Sequence, residues 1–265
     1  MNIFTIASGS SGNCICVGND RHHLLIDAGI SGKKIEAGLN HNGLTTRDCD
    51  GILITHEHID HVSGLGVIAR KYNLPIYATS ATIDGISSIK SLGNIDPDLF
   101  HPITAGESFD IEDFSIDPVH ISHDAADPVA YVIADGEKRV GVCTDLGVYD
   151  DTIIQHMKNL NAIVLEANHD IRMLESGPYP YPLKMRILSD QGHLSNEASG
   201  KLLSKILNDH MKQIYLGHLS KDNNIAELAE MTVSLEVTMS DTDYKGNDFP
   251  IVAASRNEPS DLIEV

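Results

Sequence analysis

The sequence predicts a layered α/β fold with one convergent polar site, and three observations carry that expectation. Short apolar runs repeatedly end in His, Asp or Glu, and segments of helical periodicity with their own caps fall between them. A chain of 265 residues is also long enough to bury both kinds of element around a large core.

Met1-Asn2-Ile3-Phe4-Thr5-Ile6-Ala7 has no basic region before its short apolar stretch and runs into a Ser/Gly segment, so it reads as a first strand and not as a signal peptide. Six later runs share one pattern: Leu24–Ile26 leads to Asp27, Ile52–Thr55 to His56, Val119–Ser122 to His123, Val140–Thr144 to Asp145, Ile163–Leu165 to Glu166 and Ile214–Gly217 to His218. Near-continuous apolar runs of this length suit strands buried on both faces. In layered α/β folds, ligands gather at the carboxyl ends of such strands. The helices expected between them start at Asp150 or Asp151 (apolar face Ile153, Ile154, Met157, Leu160), at Ser195 (Leu202, Leu203, Ile206, Leu207) and at Asp222 or Asn223 (Ile225, Leu228, Ala229). From about Phe100 to Ala134 the chain reads as a β-meander, with Gly106 and Asp127-Pro128 as turn signals. Ser176-Gly-Pro-Tyr-Pro-Tyr-Pro182 reads as a loop, since proline removes donors and blocks helix. The chain has no internal repeat or low-complexity block. It reads as one domain over 1–265 with a polar, frayed tail over about 256–265.

Apolar residues make up 42% of the chain, with no run long enough to cross a bilayer, so no membrane role is expected. Cys14, Cys16, Cys49 and Cys143 contain no C-x-x-C pair, which fits reduced thiols and a cytoplasmic setting. The net charge of −19 argues against a broad basic face for nucleic acid. Much of the excess is local, since nine carboxylates after Asn223 face only Lys245 and Arg256. Fourteen histidines are a surplus of the commonest metal ligand.

His56-Glu57-His58-Ile59-Asp60-His61 is the strongest signal. On an extended segment, alternate residues point the same way, so His56 and His58 can pinch one cation. Asp60 and His61, in a tight turn before a helix from Val62, can then face a second. Imidazole mixed with carboxylate suits divalent ions such as zinc. Spacing alone does not choose between His120 and His123 as a further ligand. His22, His23, His41, His101, His156 and His210 lack the strand-end context and read as surface or structural.

The H-x-H-x-D-H run, with a downstream His, an Asp in a T-D context and a final His, resembles the metallo-β-lactamase superfamily. Ser8-Gly-Ser-Ser-Gly-Asn13, His123-Asp-Ala-Ala-Asp-Pro128, Leu165-Glu-Ala-Asn-His-Asp170, Gly192-His-Leu-Ser-Asn196 and Leu216-Gly-His-Leu-Ser220 resemble its small bacterial YycJ/WalJ-like family, and that similarity runs from Ser8 to about Asn224. The resemblance implies a four-layer αββα sandwich holding two divalent ions, zinc or manganese. It assigns His56, His58 and His123 to one ion, Asp60, His61 and His218 to the other, and Asp145 to both. It prefers His123 over His120, and gives Asp27 the task of holding the ligand loop.

Two cations that share a water lower its pKa towards about 7, giving a hydroxide able to attack phosphorus or a carbonyl. Glu166 and His193 lie outside the ligand set at positions expected near the site. A carboxylate beside an imidazole favours the imidazolium, which can protonate a leaving oxygen. The same pairing is similar to that of tRNase Z-like phosphodiesterases in the superfamily. His193, Glu166 and Asp60 are therefore the candidate catalytic residues. Ser8, Ser10, Ser11 and Asn13 can form an anion-binding turn, or an ordinary hairpin. Lys184 and Arg186 can contact a nucleic-acid backbone, or form a solvated face. The expected function is a dinuclear-metal phosphodiesterase acting on nucleic acid, with a 5′-directed exonuclease implied by the family. The alternatives are a hydrolase of a small ester, thioester or cyclic phosphodiester, which suits the acidic surface, and a regulatory metal-binding protein with a vestigial site.

Overall fold

A computed structural model describes residues 1–265. With strands numbered along the chain, the first seven-stranded sheet has the order β14 (Ile263–Glu264), β1 (Asn2–Ala7), β2 (Cys14–Gly18), β3 (His23–Ile26), β4 (Gly51–Leu53), β5 (Ile76–Thr79), β6 (Phe100–Ile103). The second has the order β13 (Ile251–Ala253), β12 (Gln213–Gly217), β11 (Ala162–Glu166), β10 (Lys138–Cys143), β9 (Val129–Asp135), β8 (Phe114–His120), β7 (Phe109–Ile111). Both are mixed. β14, β1, β2 and β3 pair antiparallel and β3 to β6 parallel; β7 to β9 pair antiparallel and β10 to β13 parallel. Parallel neighbours need crossovers, and helices supply most of them. These are α1 (Gly32–His41), α2 (Ile59–Val62), α3 (Leu65–Tyr72) and α4 (Ser80–Ser88) in the first half, then α5 (Asp151–His156), α6 (Ile171–Ser176), α7 (Tyr181–Ile187), α8 (Asn196–Ile206) and α9 (Ala226–Met239). This is the α/β class the sequence predicts.

The chain divides into two compact units. One comprises Met1–His120, Ala125–Glu137 and Ser255–Val265; the other comprises Ile121–Asp124 and Lys138–Ala254. In the first, Phe4, Leu25, Ile35, Leu39, Ile52, Ile54, Leu65 and Ile68 form a continuous buried cluster, each side chain contributing roughly 1.5–3 kcal/mol of burial free energy. In the second, α8 buries Leu202, Leu203 and Ile206 and packs against α5 and α9. Its cap is Ser195, whose hydroxyl accepts the Ala198 N–H, and Asp150 caps α5 through the Ile153 N–H. All four cysteines are buried and unbridged, and burial pushes the Cys49 thiol up to about 12. No helix is long and apolar enough to cross a membrane.

Several local expectations are corrected. The C-terminal tail is not frayed: Ile263 and Glu264 pair with Ile3 and Asn2, and the Ser260 hydroxyl accepts the Thr5 N–H. The proline-rich segment is not all loop, because α7 begins at Tyr181 with Pro182 in the first turn, where a missing N–H costs nothing. β6 leaves the meander and pairs with β5 in the other sheet. Asp60 and His61 lie in the short helix α2 and not in a turn. Neither Asp222 nor Asn223 caps α9. Its N-cap is Ile225, which is exposed, and the neighbouring Asn224 side chain is spent on Ala167, Asn168 and Asn196.

Candidate active site

In the first unit the histidine run is anchored by one buried carboxylate. Asp27 follows β3 with φ 62°, a left-handed conformation that a non-glycine residue adopts at a cost of about 1–3 kcal/mol. Its Oδ1 accepts the Thr55 N–H (2.9 Å), its Oδ2 accepts the Thr55 hydroxyl (2.9 Å), and the same Oδ2 accepts His61 Nδ1–H (2.7 Å). With its proton given to Asp27, the Thr55 oxygen accepts His56 Nδ1–H at 3.0 Å. The His56 ring lies 4.6 Å from His58 and 4.1 Å from His61 between centroids. The Ser8–Asn13 loop packs on α2 at Gly29, where a Cβ would meet the Asp60 carbonyl oxygen at 1.7 Å, so only glycine fits.

In the second unit the anchor is Glu166, at the end of β11 and fully buried. Its Oε1 accepts Nδ1–H of His193 and of His218, each at 2.9 Å, and its Oε2 accepts the N–H groups of Leu146 (2.7 Å) and Leu194 (3.2 Å). Four bonds fill the acceptor capacity of a carboxylate, so Glu166 acts as a hydrogen-bond hub. Burial pushes its carboxyl up, but the charge of His193 and the bonds from both imidazoles outweigh that and hold it below the ordinary range. Asp145 (φ 58°) and His218 (φ 54°) follow β10 and β12 in the same left-handed conformation as Asp27. One polar side-chain atom from each of Asp145, Glu166, His193 and His218 lies within 4.8 Å of the other three. His123 is buried, and its Nδ1 lies 3.2 Å from the Gly192 carbonyl oxygen.

The donor chemistry fits divalent cations. Carboxylate and carbonyl oxygens only accept, so the Nδ1 atoms of His61, His218 and His123 carry protons, as does that of His56 towards Thr55. In the neutral rings each Nε2 then bears the lone pair, the arrangement that partners of metal-bound histidines impose. His123 Nε2 faces Asp124 Oδ1 at 3.5 Å and Asp145 Oδ1 at 3.7 Å. Asp124 already pairs with Arg186, so the His123 Nε2 lone pair facing the Asp145 carboxylate is the convergence that suits a cation.

The remaining residues singled out by sequence fall as follows. His120 has a side chain 64% exposed and sits 3.3 Å from Asp127, on the surface, unlike His123. Ser8 and Asn13 are buried. The Ser8 hydroxyl and the Gly9 N–H donate to Asn13 Oδ1, while Asn13 Nδ2 lies 3.1 Å from His61 Nε2. The Ser8, Gly12 and Asn13 amides donate to Ser255, Gly9 and Asp60 carbonyls. Ser8 and Asn13 therefore brace the histidine loop and do not form an open anion nest; Ser10 and Ser11 are the exposed pair. Lys184 donates to the Glu175 carbonyl oxygen at 2.7 Å, and Arg186 forms a two-point pair with Asp124. Sequence reasoning gave no role to Thr55 or to Asn168, whose Nδ2 donates to the His218 carbonyl oxygen at 2.9 Å. A polar residue between a buried strand and the first histidine was the available signal for Thr55. The place of Asn168 just after Glu166 marks it as near the site, but its bond to His218 comes only through the pairing of β11 with β12.

The model of the β-lactamase superfamily domain matches residues 22–218. The chain belongs to the metallo-β-lactamase superfamily. Within it, the chain is 44% identical to the exodeoxyribonuclease YycJ of Bacillus anthracis over 86% of both chains. It is 41% identical to the exodeoxyribonuclease WalJ of Streptococcus pneumoniae over 98% of this chain and 96% of that one. The metallo-β-lactamase fold protein YhfI from Bacillus subtilis superposes with a TM-score of 0.71 over 98% of this chain and 99% of its own, at 14% identity, a likeness of fold. The superfamily member described here is a metal-dependent hydrolase.

Proposed function

We propose that this hydrolase is a phosphodiesterase acting on DNA as a 5′-directed exonuclease. Two divalent ions, zinc or manganese, would be held by His56, His58 and His123, by Asp60, His61 and His218, and by Asp145 between them. When bound, the ions supply Lewis acidity at phosphoryl oxygens and acidify water. The observation that carries the reading is the Glu166 hub. It holds two imidazoles by the same atom, yet His193 keeps 16% of its side chain exposed while His218 keeps 3%. His218 is thereby suited to ligation and His193 to a substrate. With Nδ1 fixed on Glu166, His193 presents Nε2 to a leaving oxygen or a phosphate oxygen, and Glu166 stabilises the charge the ring carries when it donates a proton. Asp60 joins them as ligand and candidate proton carrier. Ser10 and Ser11 are the exposed hydroxyls of the N-terminal loop for a phosphate contact. DNA is favoured because both similar relatives named above are exodeoxyribonucleases.

The net charge of −19 favours a second reading, in which the substrate is a small ester, thioester or cyclic phosphodiester. Metal-loaded protein assayed on end-labelled DNA, end-labelled RNA and bis(p-nitrophenyl) phosphate separates the two. Shortening of DNA from its 5′ end, abolished by chelator, is the expected result. Hydrolysis of the small diester with no action on either polymer would establish the second reading instead.

A further inference from the structure

The segment joining α6 to the site residue His193 carries an exposed aromatic and apolar face with no role in the chemistry above. Pro178, Pro180 and Pro182 alternate with Tyr179 and Tyr181, and proline fixes φ, so the rings are presented with little conformational entropy to lose. Tyr179 is half-buried and donates its hydroxyl to Asp222 (3.0 Å), pinning the loop. Tyr181 is 74% exposed, Met185 one turn on is 48% exposed, and Leu188 is 41% exposed. With Glu175, Tyr179 and Lys184 they line a shallow pocket of about 240 Å³. That is below the range of about 300–1,000 Å³ for drug-sized ligand sites and suits one flat ring system.

One lysine stands at the pocket. From Ile171 to Leu188 the chain carries Arg172, Lys184 and Arg186 against Glu175, but Arg186 is paired with Asp124 and Tyr179 holds Asp222, so Lys184 is the cation at the pocket itself. Lys184 is held at the pocket by the Glu175 carbonyl oxygen, which positions its ammonium without neutralising it. The face is also coupled rigidly to the site. The His193 N–H donates to the Ile187 carbonyl oxygen at 3.0 Å, and at Gly192 a Cβ would meet that same oxygen at 2.2 Å. Glycine is needed for the loop to lie this close to the end of α7.

A ring face for stacking, a flanking lysine and a direct backbone tie to His193 match the chemistry of single-stranded DNA, whose bases stack on aromatic side chains while phosphates meet cations. We propose that Tyr181, with Met185 and Leu188 as its apolar surround, stacks a nucleobase of a single-stranded DNA substrate, and that Lys184 meets an adjacent phosphate. This rests on the phosphodiesterase reading and names how that site would hold its polymer.

The test is fluorescence anisotropy of a labelled single-stranded oligodeoxythymidylate with the full metal-loaded chain, alongside cleavage kinetics on the same strand. Tyr181→Ala should weaken binding by about 5- to 100-fold, the usual worth of one stacked base, and raise KM in proportion. Tyr181→Trp should restore both, because stacking needs a ring and not a hydroxyl. Lys184→Ala should weaken binding and reduce the salt slope by roughly 0.7, one phosphate on a single strand. Unchanged binding in a folded Tyr181→Ala protein that still degrades DNA would overturn the platform and leave the phosphodiesterase reading standing. A wild type that binds DNA through Tyr181 but cleaves none would do the reverse. If Tyr181→Ala instead halves the sedimenting mass and leaves DNA affinity intact, the face is a contact between copies of this chain and the proposal fails.

Discussion

The two units hold their histidines by different means. In the first, His56, His58, Asp60 and His61 come from six consecutive residues, and Asp27 with Thr55 locks two of the rings within one small network. In the second, His123, Asp145, Glu166, His193 and His218 come from separate strand ends and loops, and a single carboxylate gathers two imidazoles and two backbone amides. The first arrangement has every histidine half-buried or deeper and reads as a metal clamp. The second mixes buried ligand candidates with one reachable ring, His193, so under the proposed function it would combine metal holding with proton transfer. Both networks cross strands: Asp27 reaches Thr55 and His61 from the end of β3 beside β4, and Glu166 gathers donors from the segments that follow β10 and β12 and from the His193 loop.

That contrast breaks first at His193. His193→Ala should lose roughly 10²- to 10⁴-fold in kcat on DNA with the metal content of the wild type, measured by elemental analysis and steady-state kinetics. A substrate with a p-nitrophenolate leaving group, which needs no proton, should recover much of the loss. Metal loss in this variant would make His193 a ligand and remove the distinction between the units.

Asp27→Asn probes the other side. It weakens the grip on His61 and Thr55 and should lower metal affinity by about 10- to 100-fold, read by competition with a chromogenic chelator. Turnover at saturating metal should stay within a few-fold. A fall in kcat as large as that of His193→Ala would show that the first unit is not merely a clamp.

Glu166→Gln should fall between these, since it serves a ligand and the reachable ring at once. Combined with His193→Ala and assayed at saturating metal, it should lose little further rate, because towards the leaving group the two act as one unit. Additive losses on DNA at full metal loading would assign Glu166 a part in the chemistry independent of His193.

The smallest effect concerns His169, buried beside Asn168 with its pKa pushed down to about 4 by burial. The unfolded chain protonates this ring near 6.5, so its contribution to stability is present above that pH and is lost as pH falls towards 4. The full difference is at most about 3 kcal/mol. His169→Gln should give a Tm that falls less steeply than the wild type's between pH 6.5 and 4. Parallel profiles would mean that the ring takes up its proton in the fold as it does in the unfolded chain.

The sequence by itself determined much of this protein. The compressed His56–His61 run shows its chemistry because four candidate ligands stand within six residues, close enough in the chain to meet whatever their local backbone. The strand ends at Asp27, His123, Asp145, Glu166 and His218 are visible because an apolar run that stops at a charged residue marks where a buried strand leaves the core. Tertiary structure alone decided the rest, because the remaining contacts join residues far apart in the chain. The left-handed backbone at Asp27, Asp145 and His218 has no signature in a non-glycine residue and is imposed by the surrounding packing. Asn168 reaches His218 across fifty positions. The tail after Arg256 became an edge strand because β1 offered it unpaired backbone groups. Glu166 could be named from its strand, but its four donors come from three separate segments, and which hydrogen bonds saturate a buried carboxylate depends on where folding delivers them.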